Sequence, residues 1–241
     1  MFEDCSSLIS LDLSNFNTSF IDDMEGVFKG CSSLVSLDLS NFDTSKVSSM
    51  YEMFSGCSQL NSLNLSNFKN THFGNMGTMF KRCSSLISLD LSNFDTTQVN
   101  TMKNMLNGCS SLISLDLSNF NAANVGNMEN IFRGCSQLVF LDISNFNTQN
   151  VNDQNTKVFY NNTLLRFINL FYYNGKDIFQ DLNSTNLQIY IGKDGKIDGE
   201  THSLSNIKEN CSFILISEES NVVNTLMENL MHLIQQKKNL M

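Results

Sequence analysis

The sequence contains no proline and no tryptophan, only three histidines, and charged residues make up 16% of it. Without proline, chain reversals fall to Gly, Asn, Asp and Ser, which favour turns through their own backbone and side-chain chemistry. Without tryptophan, the core rests on 19 Phe and 12 Met, side chains that fill space without needing a polar partner. Cations are scarce: 15 Lys and Arg stand against 24 Asp and Glu, a net charge of -9. That balance counts against nucleic acid as a partner, since a phosphate-backbone binder needs a basic patch. No apolar run reaches the length of a membrane span, and no secretory signal precedes the body of the chain. His72, His202 and His232 sit in unrelated contexts. None has a nucleophile at a recognisable spacing, so no catalytic residue and no cofactor are assigned.

What is present is repetition. Residues 31–56, CSSLVSLDLSNFDTSKVSSMYEMFSG, form a unit of 26 residues whose cysteine recurs as Cys5, Cys31, Cys57, Cys83, Cys109 and Cys135. A fixed period in this range marks a repeat architecture in which each unit packs on its neighbours. The chain opens inside a unit, because residues 1–5 match residues 53–57. This predicts a longer natural protein, or self-association through the uncapped N-terminal repeat, where Leu8, Leu11, Leu13 and Phe16 would lack a covering coil.

Within a unit the period changes. Residues 35–40 alternate apolar and polar, which predicts a short strand with Val35, Leu37 and Leu39 inward. Residues 40–45 carry turn chemistry around Phe42. Met50, Met53, Phe54 and Cys57 then recur at i, i+3, i+4 and i+7, one face of a short helix, with Gly56 as its left-handed stop. Strand, turn and helix make one coil of a right-handed solenoid of α/β type, with a parallel sheet on the concave face and short helices on the convex face. Rows of Leu and the row Phe16, Phe42, Phe68, Phe94, Phe120, Phe146 are expected to run along its interior. A degenerate seventh unit follows, so the solenoid spans residues 1–173. Residues 174–241 read as a small α+β cap or accessory segment, with strands near 187–191 and 211–216 and an amphipathic helix near 218–238.

The pattern MFxxCSSLxSLDLSNFDTSxVxxM resembles the BspA-like leucine-rich-repeat surface proteins of bacteria and some protists. That resemblance implies a curved solenoid, a cell-surface or secreted setting, and adhesion to host or matrix proteins. The usual leucine-rich pattern would place a buried Asn where Phe42 stands. Asn41 lies one place earlier, which gives no ground for an asparagine ladder.

Two rows are candidate sites. The cysteines could be ligands or rung-to-rung disulfides, but a row does not converge as zinc requires, and the residues fall on an apolar face. Buried free thiols and no metal are expected. The second candidate is the outward polar face: Ser10, Asp12, Ser36, Asp38, Ser62, Asn64, Ser88, Asp90, Ser114, Asp116 and Asp142. A solvated strand face whose Asp and Ser also hydrogen-bond locally accounts for it better than a Ca²⁺ site on the acidic stripe does, and a protein ligand carrying basic groups accounts for it equally, because such faces are extended binding surfaces. The function classes are therefore a surface adhesion module, an intracellular protein-interaction scaffold, or an enzyme whose catalytic group would have to lie in residues 174–241. The first is favoured by the resemblance.

Overall fold

The structure is a computed structural model. It describes residues 1–69, 74–152, 157–172, 174–175, 178–179, 181–184, 186–192, 196–197, 200–201 and 211–216. The expected helix near 218–238 and all three histidines lie outside the described residues.

The Leu-rich segments form short parallel strands stacked one coil apart. β1 (Ser36–Asp38) pairs with β2 (Ser62–Asn64), matching Leu37 to Leu63. β3 (Ser114–Asp116) pairs with β4 (Phe140–Asp142), matching Leu115 to Leu141. The offset is one 26-residue unit, so equivalent side chains stand in rows. β4 then pairs with β5 (Phe167–Leu170) with Phe140 opposite Phe167, one residue more, because the seventh unit carries an insertion. β6 (Asn174–Gly175) follows and starts a small separate sheet. β7 (Leu187–Gly192) adds to β5. β8 (Lys196–Ile197) and β9 (Glu200–Thr201) complete the small sheet. β10 (Cys211–Ile216) pairs with β7. The two strands expected in the C-terminal segment are thus β7 and β10, and both extend the repeat sheet.

The Met/Phe/Cys side of each coil is not helical. No helix occurs among the described residues, which corrects the α/β reading with convex helices. The reason lies in the backbone. Gly26 and Gly30 have φ of 61° and 72°, and Glu52 and Gly56 repeat this at 57° and 80°. A right-handed helix cannot pass through left-handed residues four apart. The N–H groups instead alternate between two uses. Phe28 N–H donates to the Met53 carbonyl one coil on (2.9 Å), and Gly30 N–H to that of Ser55 (2.8 Å). The amides between them close local turns, as Lys29 does on Gly26 (3.0 Å). Isolated parallel bridges run through Asp23, Ser49, Asn75, Thr101 and Asn127. The molecule is a parallel β-solenoid with a second backbone ladder on the side expected to be helical.

The expected inward rows are buried for most of their length, including Leu37, Leu39, Met50, Met53, Phe54 and Cys57, while Leu8, Leu11 and Leu63 are half-buried and Phe16 is exposed. Phenylalanines stack at two places. Phe68 lies over Phe94 (5.8 Å) and Phe120 over Phe146 (6.4 Å) in the expected row. A further stack runs Phe2, Phe28, Phe54, Phe80 at 5.5–5.7 Å. Val35, expected inward, is 39% exposed. It lies just before β1, and its carbonyl accepts from both Asn61 and Ser62.

The asparagine row, for which the repeat pattern offered no ground, is a ladder after all. Asn41 Nδ2 donates to the Leu13 carbonyl (2.9 Å), Asn67 Nδ2 to Phe42 (3.0 Å), and Asn119 Nδ2 to Leu91, Ser92 and Phe94. It serves the preceding coil from one place earlier in the unit than the usual pattern.

Candidate functional site

The polar face is built by the alternation of β1 to β3 and its equivalents in the other coils. Leu37 and Leu115 point into the core and fix the register, so Ser36, Asp38 and Asp116 face outward. Of the predicted residues, Ser10, Asp12, Ser36, Asp38, Ser62, Asn64, Asp90 and Asp116 are exposed, while Ser88 and Ser114 are half-buried. In-register pairing brings Ser36 beside Ser62, Asp38 beside Asn64, and Asp116 beside Asp142. Residues 10–12 and 88–90 hold the same places without forming strands.

Each carboxylate or amide on this row does local work. Asp12 Oδ1 accepts from Ser14 N–H (3.0 Å), Asp38 from Ser40 (2.9 Å), Asn64 from Ser66 (3.1 Å), Asp90 from Ser92 (2.9 Å) and Asp116 from Ser118 (2.9 Å). These are Asx turns that carry the chain from strand to corner. They account for the recurrence of Asp or Asn at this place by folding alone. The same bonds favour the ionised form: the Ser14 amide holds the Asp12 carboxyl below its ordinary value, and the Ser40 amide does so for Asp38.

Asp142 differs. It accepts from Ser144 N–H (2.9 Å) and from Asn169 Nδ2 (2.7 Å), and it is only 5% exposed. Burial pushes its carboxyl above the ordinary value, against the pull of those hydrogen bonds. Around it the row changes character. Phe140 stands where the earlier units have Ser, and Tyr190 stacks near Phe167 at 6.5 Å. The open polar face therefore runs from Ser10 to Asp116 and closes at Asp142.

Sequence reasoning missed one border of this face. Ile9, Val35, Asn61, Ile87, Ile113 and Val139 form a row that is exposed in the first coils and half-buried later. The signal was Asn61: a polar residue at a place read as inward.

The cysteine row is unlinked and, from Cys31 on, buried; Cys5, expected buried with the rest, is exposed. Cys31, Cys57, Cys83, Cys109 and Cys135 are free thiols in the core. Each donates backward to a carbonyl of the preceding coil, as Cys57 Sγ does to Phe28 (3.0 Å) and Cys109 Sγ to Phe80 (3.1 Å). Burial pushes the Cys57 and Cys135 thiols up to about 12, and those of Cys83 and Cys109 well above their ordinary value. Such thiols are inert as nucleophiles and as ligands. Among the described residues no group of three or more His, Cys, Asp or Glu is placed to hold a metal ion. No helix there is long and apolar enough to cross a membrane.

A repeating coil with a Cys–Phe core and an Asx-turned strand face defines the class of molecule. The chain belongs to the family described as "Mycoplasma protein of unknown function, DUF285", which it matches over residues 1–111 and 85–186. Comparison with curated proteins gives no match.

Proposed function

We propose that this chain is a non-enzymatic protein-binding repeat module, acting in surface adhesion or recognition through its strand face. The resemblance of its units to BspA-like leucine-rich repeats supports the adhesive role. One observation supports the face: Asp12, Asp38, Asp90 and Asp116 form an exposed row of like charges. Their turns occupy an oxygen but leave the charge in place. Carboxylates one rung apart repel one another, so a partner that brings cations relieves as well as attracts. The ion pairs of Lys29 and Lys103 involve Glu3, Glu52 and Glu129, none of them on this row. The fitting ligand is an extended protein surface with basic groups, whose association speeds up at low salt.

The test is Asp38→Asn, Asp90→Asn and Asp116→Asn together. Asn keeps the acceptor for each Asx turn, so the fold should stay intact and the melting curve near neutral pH should shift only slightly. Against immobilised extracellular-matrix proteins, the triple variant should bind about tenfold more weakly and with a flatter salt dependence. Unchanged binding places the ligand elsewhere on the chain. No binding by the unaltered protein across the panel defeats the adhesive reading.

A further inference from the structure

The charges of the middle coils are sorted by side. Between residues 76 and 134 the cations are Lys81, Arg82, Lys103 and Arg133, and all four lie on the second ladder, opposite the strands. Asp90 and Asp116 lie on the strand face, and Asp95 follows the corner. Glu129 sits among the cations and holds Lys103 (2.7 Å). Lys81, Arg82 and Arg133 have no ion pair among the described residues.

The two sides also carry one pattern in opposite charge. Lys81, Asn107 and Arg133 occupy the same place in three successive units, and the ladder holds them a coil apart. Their carbonyls accept from the amides of Gly56 (2.7 Å), Arg82 (2.7 Å) and Gly108 (2.8 Å). On the strand face Asp38, Asn64 and Asp90 occupy the same place in three successive units, all three exposed. One side thus presents cation, amide, cation, and the other carboxylate, amide, carboxylate. Both rows rise one rung per unit, so in each the outer charges stand about 10 Å apart. Past Arg133 the ladder side continues to Tyr160, which is 49% exposed and has Arg133 (5.3 Å) and Lys157 (5.8 Å) over its ring.

We propose that the strand face of one copy docks on the ladder side of a second copy of the chain, with Asp38 and Asp90 meeting Lys81 and Arg133. This rests on the reading of the strand face as a protein-binding surface and names a partner for it. Asn64 meets Asn107, an amide that can both donate and accept. The pattern is symmetric about the amide, so it fits with the two stacks running the same way or opposite ways. Either way the flanking Asp12 and Asp116 fall opposite the coils of Ser55 and Lys157. The contact joins two different surfaces. Each docked copy therefore keeps one strand face and one ladder side free, and association continues into open-ended arrays.

Two variants disable the two surfaces separately. Asp38→Asn, Asp90→Asn and Asp116→Asn together remove the charge of the strand face, and Lys81→Glu with Arg133→Glu reverses the ladder side. In sedimentation velocity at about 20 mM salt the unaltered chain should form species larger than a dimer as its concentration rises, and about 500 mM salt should weaken this at least tenfold. Each variant alone should be a monomer. Mixed, the two should form a 1:1 complex that grows no further, because one working strand face meets one working ladder side. The pair Lys81→Gln and Arg133→Gln, gentler on the fold, should weaken self-association about tenfold. An unaltered chain that stays monomeric, association that persists in both variants or ignores salt, or variants that do not pair when mixed overturns the proposal. The ladder-side variant keeps the strand face intact, so its binding to immobilised matrix proteins reads the adhesive role separately. Matrix binding without self-association overturns this proposal and leaves the adhesive role standing; self-association without matrix binding does the reverse.

Discussion

The first coil and the middle coils have nearly the same sequence and different physics. Phe16 and Phe120 occupy one place in the unit, yet Phe16 is 41% exposed and Phe120 is 0% exposed. Cys5 is exposed while Cys83 and Cys109 are buried. Asn15 has no described carbonyl to serve, whereas Asn119 serves three. In a solenoid, burial is supplied by the neighbouring coil and not by the residue's own unit. A residue's energetic weight is therefore a property of its position along the stack.

The sharpest way to break this comparison is to truncate the same ring at both places. Phe120→Ala should destabilise by about 3–5 kcal/mol, as a large-to-small change in a packed interior does. Phe16→Ala should cost roughly 1 kcal/mol or less, because much of its area already faces water. Chemical denaturation of the two variants gives both values, and equal losses would show that the first coil is covered after all.

A smaller effect separates the thiols. In the folded protein a water-soluble thiol reagent should modify Cys5 at least about a hundredfold faster than Cys83 or Cys109. Those two react only when the stack opens and their thiols, pushed well up by burial, ionise. Mass mapping of modified peptides with time reads the ratio. Reductant should leave the melting temperature unchanged, since the described cysteines are unlinked.

The smallest effect contrasts Asp142 with Asp38 along one row. Burial raises the Asp142 carboxyl in the folded state, so the folded chain holds that proton more tightly than the unfolded chain. Its contribution to stability then falls as pH rises from the ordinary carboxylate value of 3.8 through the raised one. The Asp38 carboxyl is lowered, so its contribution is present above that value and is lost on acidification. Melting temperatures from pH 3 to 7 should move in opposite directions for the two substitutions, relative to the unaltered protein. Asp142→Asn should gain relative stability toward neutral pH, and Asp38→Asn should gain it toward acid. Parallel curves would mean that the closing of the face at Asp142 carries no electrostatic cost.

Much of the scaffold was legible because packing leaves a periodic trace. The 26-residue spacing, the inward Leu, Phe and Met rows and the buried thiols follow from where apolar residues recur. The side opposite the strands was misread for a definite reason. Met50, Met53, Phe54 and Cys57 have the spacing of a helix face, and turns broken by left-handed residues at 52 and 56 bury the same four side chains. Gly26 and Asn104, at the place of Glu52, were the available sign, since both tolerate positive φ. The asparagine ladder was hidden by a shift of one place. The polar face was legible as a face, and local hydrogen bonding by its aspartates was expected, but the amides they serve were not. Their Asx turns involve backbone amides two residues on, which no pattern of hydrophobicity reports.

The backward and forward hydrogen bonds have a consequence for how such a chain folds and lengthens. Phe28 reaches Met53, and Asn119 reaches Leu91, each about one coil away along the chain. Joining a coil to its neighbour closes a loop of the same modest size wherever it occurs, so the entropic cost of closure does not grow with the number of coils. Folding can then proceed by accretion, each finished coil templating the next, with a rate set by one addition and not by total length. A gene that gains or loses a whole unit changes the length of the stack and leaves every remaining row in register. A gain of one residue has to be absorbed in a connecting turn if the rows are to stay aligned, as it is between β4 and β5, where Leu141 still faces Ile168 although the degenerate unit carries an extra residue.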